Sequence, residues 1–136
     1  MKVASWIVVA AALAAAPVPD TAEAQPPDPC DGPAMEHELK IKLTASGKKP
    51  EGVYKGWKKA EEVEVCPGDF VEWKLQGKKE FRIEFSNQNP FVELDSESNR
   101  FRLSGRIDED APRGERFKYD VTLLYGGKLD PIIIIR

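Results

Sequence analysis

Few side chains in this sequence could do chemistry, and they stand far apart. There are two cysteines, Cys30 and Cys66, one histidine, His37, and one methionine beyond the first residue, Met35. A blue-copper centre needs a thiolate and two imidazoles in one plane with a weak axial ligand, and a single histidine does not supply it. Redox dithiols usually hold their cysteines two residues apart. The wide spacing here favours a structural bond, Cys30–Cys66, if the chain meets an oxidising compartment. Met35-Glu36-His37-Glu38 groups a thioether, an imidazole and two carboxylates. On an extended chain Met35 and His37 point the same way, so this pair is the one place for a weak metal site. Tight sites need three or four converging ligands, and the favoured expectation is a solvated strand entry with His37 on the surface. Asp95-Ser96-Glu97-Ser98-Asn99 sets oxygens at alternate positions but lacks the glycine and the distal carboxylate of a calcium loop. Asp108-Glu109-Asp110 reads as a solvated acidic loop. No serine sits in a nucleophile elbow, and no carboxylate pair is singled out by spacing. The expectation is a protein that is not an enzyme and carries no cofactor.

One segment has the chemistry of recognition instead. Val53-Tyr54-Lys55-Gly56-Trp57-Lys58-Lys59 sets two large rings among lysines, flanked by glycine. Rings with an apolar body and a polar tip suit binding surfaces. Tyr54, Trp57, Lys58 and Lys59 are therefore the candidate surface, for an unknown protein or a small anionic ligand. The competing expectation folds Tyr54 and Trp57 over the open end of the core as lids. Ser86-Asn87-Gln88-Asn89-Pro90 is a weaker second candidate, with the composition of an ordinary turn.

The elements that must position these residues follow an export signal. Met1 and Lys2 start it, Val3–Ala16 is uncharged and apolar, and Ala22-Glu23-Ala24 is a small-x-small cleavage pattern. The apolar run is short for a membrane span, which takes about 20 residues. Residues 1–24 read as a signal peptide, 25–37 as an extended Pro-rich leader, and 38–136 as one domain with no stable membrane anchor, periplasmic or secreted. The chain has 20 basic and 23 acidic residues. The two signs are interspersed along the sequence, which argues against a nucleic-acid footprint.

Strand after strand follows. Leu39, Ile41 and Leu43 alternate with polar residues, as do Val63 and Val65, then Val71, Trp73 and Leu75, then Phe81, Ile83 and Phe85. A period of two implies one buried face. Phe91–Leu94 and Phe101–Leu103 are short apolar pieces. Phe117 to Tyr125 is the longest alternation, and Ile132–Ile135 closes the chain as a β-branched run suited to a strand between neighbours. That run would be an association hazard at an exposed edge. Tyr54–Glu64 is the one candidate for a helical turn. About seven short strands with turns between them predict an all-β sandwich.

The stretch Val63-Glu64-Val65-Cys66-Pro67-Gly68-Asp69-Phe70-Val71-Glu72-Trp73 resembles the cupredoxin pattern, a strand running into a Pro-Gly-Asp turn and then a strand bearing Val-x-Trp. Gly68 allows the tight turn, and Asp69 can accept backbone N–H bonds across it. The resemblance covers roughly 38–136 and implies a Greek-key sandwich of the cupredoxin-like kind, as in uncharacterised bacterial exported proteins with a similar C-terminal run. It places the strand of the first copper histidine at Phe81–Phe85 and the other ligands in the closing hairpin. Phe81 stands at the histidine's place, and Tyr119 to Leu129 contains no Cys, His or Met. The reading is an exported, non-catalytic, cupredoxin-like module without a type-1 copper site, a binding or assembly component. The alternative is a periplasmic copper-handling protein with a non-standard site near His37.

Overall fold

The structure is a computed structural model. It describes residues 27–136 apart from Lys78, Ser96, Arg100 and Tyr125. The expected signal peptide and the first two leader residues lie outside the described residues.

The alternating segments become eleven strands: β1 (Glu36–Leu43), β2 (Pro50–Lys55), β3 (Lys58–Lys59), β4 (Glu62–Val65), β5 (Phe70–Leu75), β6 (Phe81–Phe85), β7 (Phe91–Leu94), β8 (Arg102–Ile107), β9 (Arg116–Leu123), β10 (Lys128–Leu129) and β11 (Ile132–Ile135). One sheet has six strands in the order β3-β2-β1-β5-β8-β7. The other has five: β4, β11 and β9 in a row, β10 also beside β9, and β6 on the far edge of β9. No helix occurs among the described residues. The expected all-β sandwich is what the chain forms. The chain changes sheet entering β4, returns for β5, leaves again for β6, and returns for β7. That interleaving pairs β1 with β5 and β4 with β11 in parallel.

The strands beyond the expected seven come from segments without clean alternation. Tyr54–Glu64 is a hairpin, not a helical turn. Gly56 takes a φ of 62°, and Lys55 pairs with Lys58 around a two-residue Gly56–Trp57 loop. Two-residue hairpins of this kind want glycine at the first loop position, because φ must be positive there. Glu36 and His37 already belong to β1.

β10 and β11 form one line against β9. Lys128 faces Thr122, Leu129 faces Val121 and Ile132 faces Lys118, in one unbroken register. Pro131 interrupts it because it has no N–H to give; its carbonyl accepts from the Tyr119 N–H at 3.0 Å. Ile132–Ile135 lies between β9 and β4. Both its edges are paired, so it presents no exposed edge. Phe101 has a φ of 58°, unusual for a bulky residue. Its carbonyl accepts from the Leu75 N–H at 3.0 Å, and its ring packs half-buried on the core.

Four rings join the sheets. Trp73 of β5 lies edge-on to Tyr119 of β9, with centroids 5.6 Å apart, and Phe91 and Phe85 close the cluster. Trp73 Nε1–H donates to the Tyr119 hydroxyl at 3.1 Å. Burial pushes the Tyr119 phenol well above its ordinary pKa, so it stays neutral. Tyr119→Phe would keep the ring but leave the indole N–H without its acceptor. The expected cost is about 1–3 kcal/mol, read as a lower midpoint in urea unfolding with an unchanged slope.

Candidate functional site

The Cys66-Pro67-Gly68-Asp69 turn carries the chain from β4 in one sheet to β5 in the other, so it forms a corner of the sandwich. The Gly68 N–H donates to the Ile107 carbonyl at 3.0 Å, and the Ile107 N–H donates to the Asp69 carbonyl at 2.8 Å. This ties the turn to the end of β8.

The Asp69 carboxylate is only 3% exposed and is satisfied from three directions. Oδ1 accepts the Met35 N–H at 2.9 Å. Oδ2 accepts the Cys66 N–H at 2.9 Å and His37 Nε2–H at 2.8 Å. Burial on its own would raise this carboxyl's pKa; the bonds from Met35, His37 and Cys66 outweigh it and hold the pKa below the ordinary range. The bond across the turn to Cys66 is the one the Pro-Gly-Asp sequence implies. Those to Met35 and His37 are long-range and have no local signal.

His37 corrects an expectation. It is 6% exposed, not on the surface, because it falls on the inward phase of β1 with Leu39 and Ile41. Its Nδ1 lies 3.0 Å from Lys55 Nζ. An ammonium can only donate, so Nδ1 accepts and the proton sits on Nε2, facing Asp69. Both ring nitrogens are engaged. Met35 is exposed while His37 is buried, so the two do not present a common face for a metal. Among the described residues no three His, Cys, Asp or Glu side chains gather as a metal site would require.

The segment before β1 is fixed to the same corner. Cys30 and Cys66 are joined in a disulfide, with Cα atoms 5.4 Å apart. Arg113 grips Asp28 with both terminal nitrogens, at 2.8 and 2.6 Å. That pairing, helped by the Cys30 N–H, lowers the Asp28 pKa to about 2. The thiols are therefore committed to structure. Phe81, at the place the cupredoxin resemblance gives to a histidine, is buried in the core.

Lys55 links this corner to the β2–β3 hairpin. Trp57 at the hairpin tip is 97% exposed, so it is no lid. Tyr54 is half-buried, with Lys42 Nζ 4.2 Å from its ring centroid and its hydroxyl on Glu51 at 3.3 Å. Lys58 and Lys59 are exposed on β3, and Lys59 pairs with Glu61 at 3.4 Å. The four candidate residues are together on one hairpin. The other candidate loops are occupied internally. Glu97 pairs with Arg82, and Ser98 Oγ accepts the Phe81 N–H. Asn89 Oδ1 accepts the Phe91 N–H, and Asp108 Oδ1 the Asp110 N–H.

The corner predicts an acid limb of stability. A carboxylate whose pKa is lowered by folding stabilises the fold above its unfolded pKa and loses that contribution as pH falls through the folded value. For Asp28 the window runs from 3.8 down to about 2; Asp69 shifts in the same direction. The melting temperature should therefore fall as pH drops below about 4. Asp69→Asn should lower stability at neutral pH by about 3 kcal/mol and flatten that limb, as differential scanning calorimetry across pH would show.

No family model matches this sequence. No curated protein matches it either. Its solved structural neighbours include a reduced-state amicyanin carrying a proline-to-phenylalanine mutation, at 13% identity over 71% of this chain and 80% of that one, with a TM-score of 0.37. Another is the reduced Cu(I) form, at pH 4, of an amicyanin proline-to-glycine mutant, at 15% identity over 85% and 88%, again with a TM-score of 0.37.

Proposed function

We propose that this chain is an exported, non-catalytic module on a cupredoxin-like scaffold, which binds an envelope partner through the β2–β3 hairpin. The observation that carries this is Trp57, fully displayed at a hairpin tip between Lys55 and Lys58. An indole left in water costs hydrophobic free energy, of the order of 2 kcal/mol against burial, and serves no packing purpose. The hairpin base is paired along β1, and Lys55 reaches His37 beside it, so the tip is carried on paired strands. Lysines on both sides favour an anionic partner surface. The disulfide supports an oxidising compartment, and no helix among the described residues is long and apolar enough to cross a membrane.

A type-1 copper role does not fit these residues. The chain has one histidine, its thiols are bonded to each other, and the imidazole is held by Asp69 and Lys55. The purified oxidised domain should stay colourless and take up no stoichiometric Cu(II) on metal analysis. For the hairpin, the test is a photo-crosslinking residue in place of Trp57, with the same residue in place of Lys118 on the opposite sheet. One discrete adduct from position 57 alone is expected in the envelope fraction. Equal labelling from both positions, or none from either, would overturn the hairpin assignment.

A further inference from the structure

The fold lines up basic side chains that the sequence keeps apart. On the outer face of the six-stranded sheet, Lys59 lies opposite Tyr54, Tyr54 opposite Lys40, Lys40 beside Lys74, and Lys74 opposite Arg102. Side chains paired across neighbouring strands share a face. These five residues therefore form a single row perpendicular to the strands, across β3, β2, β1, β5 and β8. Strands lie about 4.8 Å apart, so the row spans about 19 Å.

Three adjacent cations, Lys40, Lys74 and Arg102, face one another within it. Like charges directly opposite destabilise a sheet. Several other described basic residues are matched with acidic ones, Arg82 with Glu97, Arg113 with Asp28, Arg116 with Glu62, Lys118 with Asp130 and Lys128 with Asp120, and in the row itself Lys59 pairs with Glu61 at 3.4 Å. Lys40 and Arg102 have no such partner among the described residues, and Lys74 leans toward Glu38 and Glu72 at 3.3 and 3.5 Å. Gly52 contributes by what it lacks. A Cβ there would meet the Lys59 stem at 2.8 Å and the Tyr54 ring at 3.4 Å, so its absence lets both side chains lie along the face.

We propose that this row binds a linear acidic polysaccharide laid across the strands. Cations at one-strand intervals match a chain bearing a carboxylate or sulfate on successive sugars, and Tyr54 offers an aromatic edge in line with them. The next row toward the corner is Glu38, Glu72 and Ser104, which bounds the basic band on that side. A narrow band of this kind suits one thin chain; an acidic flank repels a wide duplex. One aromatic ring, already under Lys42, is also a poor stacking platform for single-stranded nucleic acid, which uses several. The site shares Tyr54 and Lys59 with the hairpin surface but does not need Trp57.

The test uses the full oxidised chain with heparin, polygalacturonate and an oligo-dT of similar length as probes, at low and physiological salt. Binding to heparin or polygalacturonate that weakens with salt is expected. Lys40→Glu combined with Arg102→Glu should lose about tenfold or more in affinity. Arg116→Glu combined with Lys118→Glu, the same charge change on the other sheet, should bind as the wild type does. Trp57→Ala should also bind as the wild type does, whatever the hairpin crosslinking shows. Melting curves confirm that each variant folds; if Lys40→Glu with Arg102→Glu does not, Lys40→Gln alone is expected to weaken binding. No wild-type binding to either glycan, equal loss in both double variants, loss in Trp57→Ala, or oligo-dT bound as tightly would each overturn the proposal.

Discussion

The fold hinges on one buried carboxylate. Asp69 sits where β4 hands the chain to β5 and collects donors from Met35 just before β1, from β1 at His37 and from its own turn at Cys66. A charge taken out of water is expensive unless its oxygens are satisfied. Here each oxygen is met at hydrogen-bond distance, so the interaction specifies geometry as well as offsetting its desolvation. It fixes the parallel register of β1 on β5, because Met35, just before β1, must reach both Asp69 and the Phe70 N–H. The disulfide then closes the same corner covalently, and its loop is worth about 3–4 kcal/mol in the chain-entropy model.

From that corner the structure runs outward in order of decreasing constraint. His37 is positioned by Asp69 and meets Lys55 at the end of β2, whose place is set by its pairing with β1. Beyond Lys55 the hairpin is held by the β2–β3 pairing, and Trp57 projects free. In the proposed role, a ring carried on paired strands has a lower ordering cost of association than one on an unpaired loop.

Much of this was legible in the residues, and the boundary is physical. Period-two alternation announced β1, β4, β5, β6 and β9, since one side of each strand is core and the other is water. Two cysteines far apart, read together with the expected export signal, announced their bond, and Pro-Gly-Asp announced a turn with an acceptor. The β2–β3 hairpin was hidden because Lys58 and Lys59 are both exposed and carry no alternation; its signal was glycine at the first position of a two-residue loop. The burial of His37 was hidden for another reason. The clustering Met35-Glu36-His37-Glu38 suggests a site by proximity, whereas the inward phase of His37 and its partners Asp69 and Lys55 come from strands brought together only by folding.

Charge shows the same limit most sharply. Read along the chain, Lys40, Lys59, Lys74 and Arg102 are scattered among acids and say nothing about clustering. Register aligns them, since a one-residue slip of any strand would send its member to the core face. The inward neighbours forbid such a slip: Leu39, Ile41, Trp73, Leu75 and Leu103 are all buried. The apolar core thus does two things at once. It stabilises the sandwich, and it forces cations into adjacent places that local electrostatics alone would not choose. Lys74 is shared by Glu38 and Glu72, so in the proposed role it is Lys40 and Arg102, held in place by a core that cannot shift, that are offered to an anion.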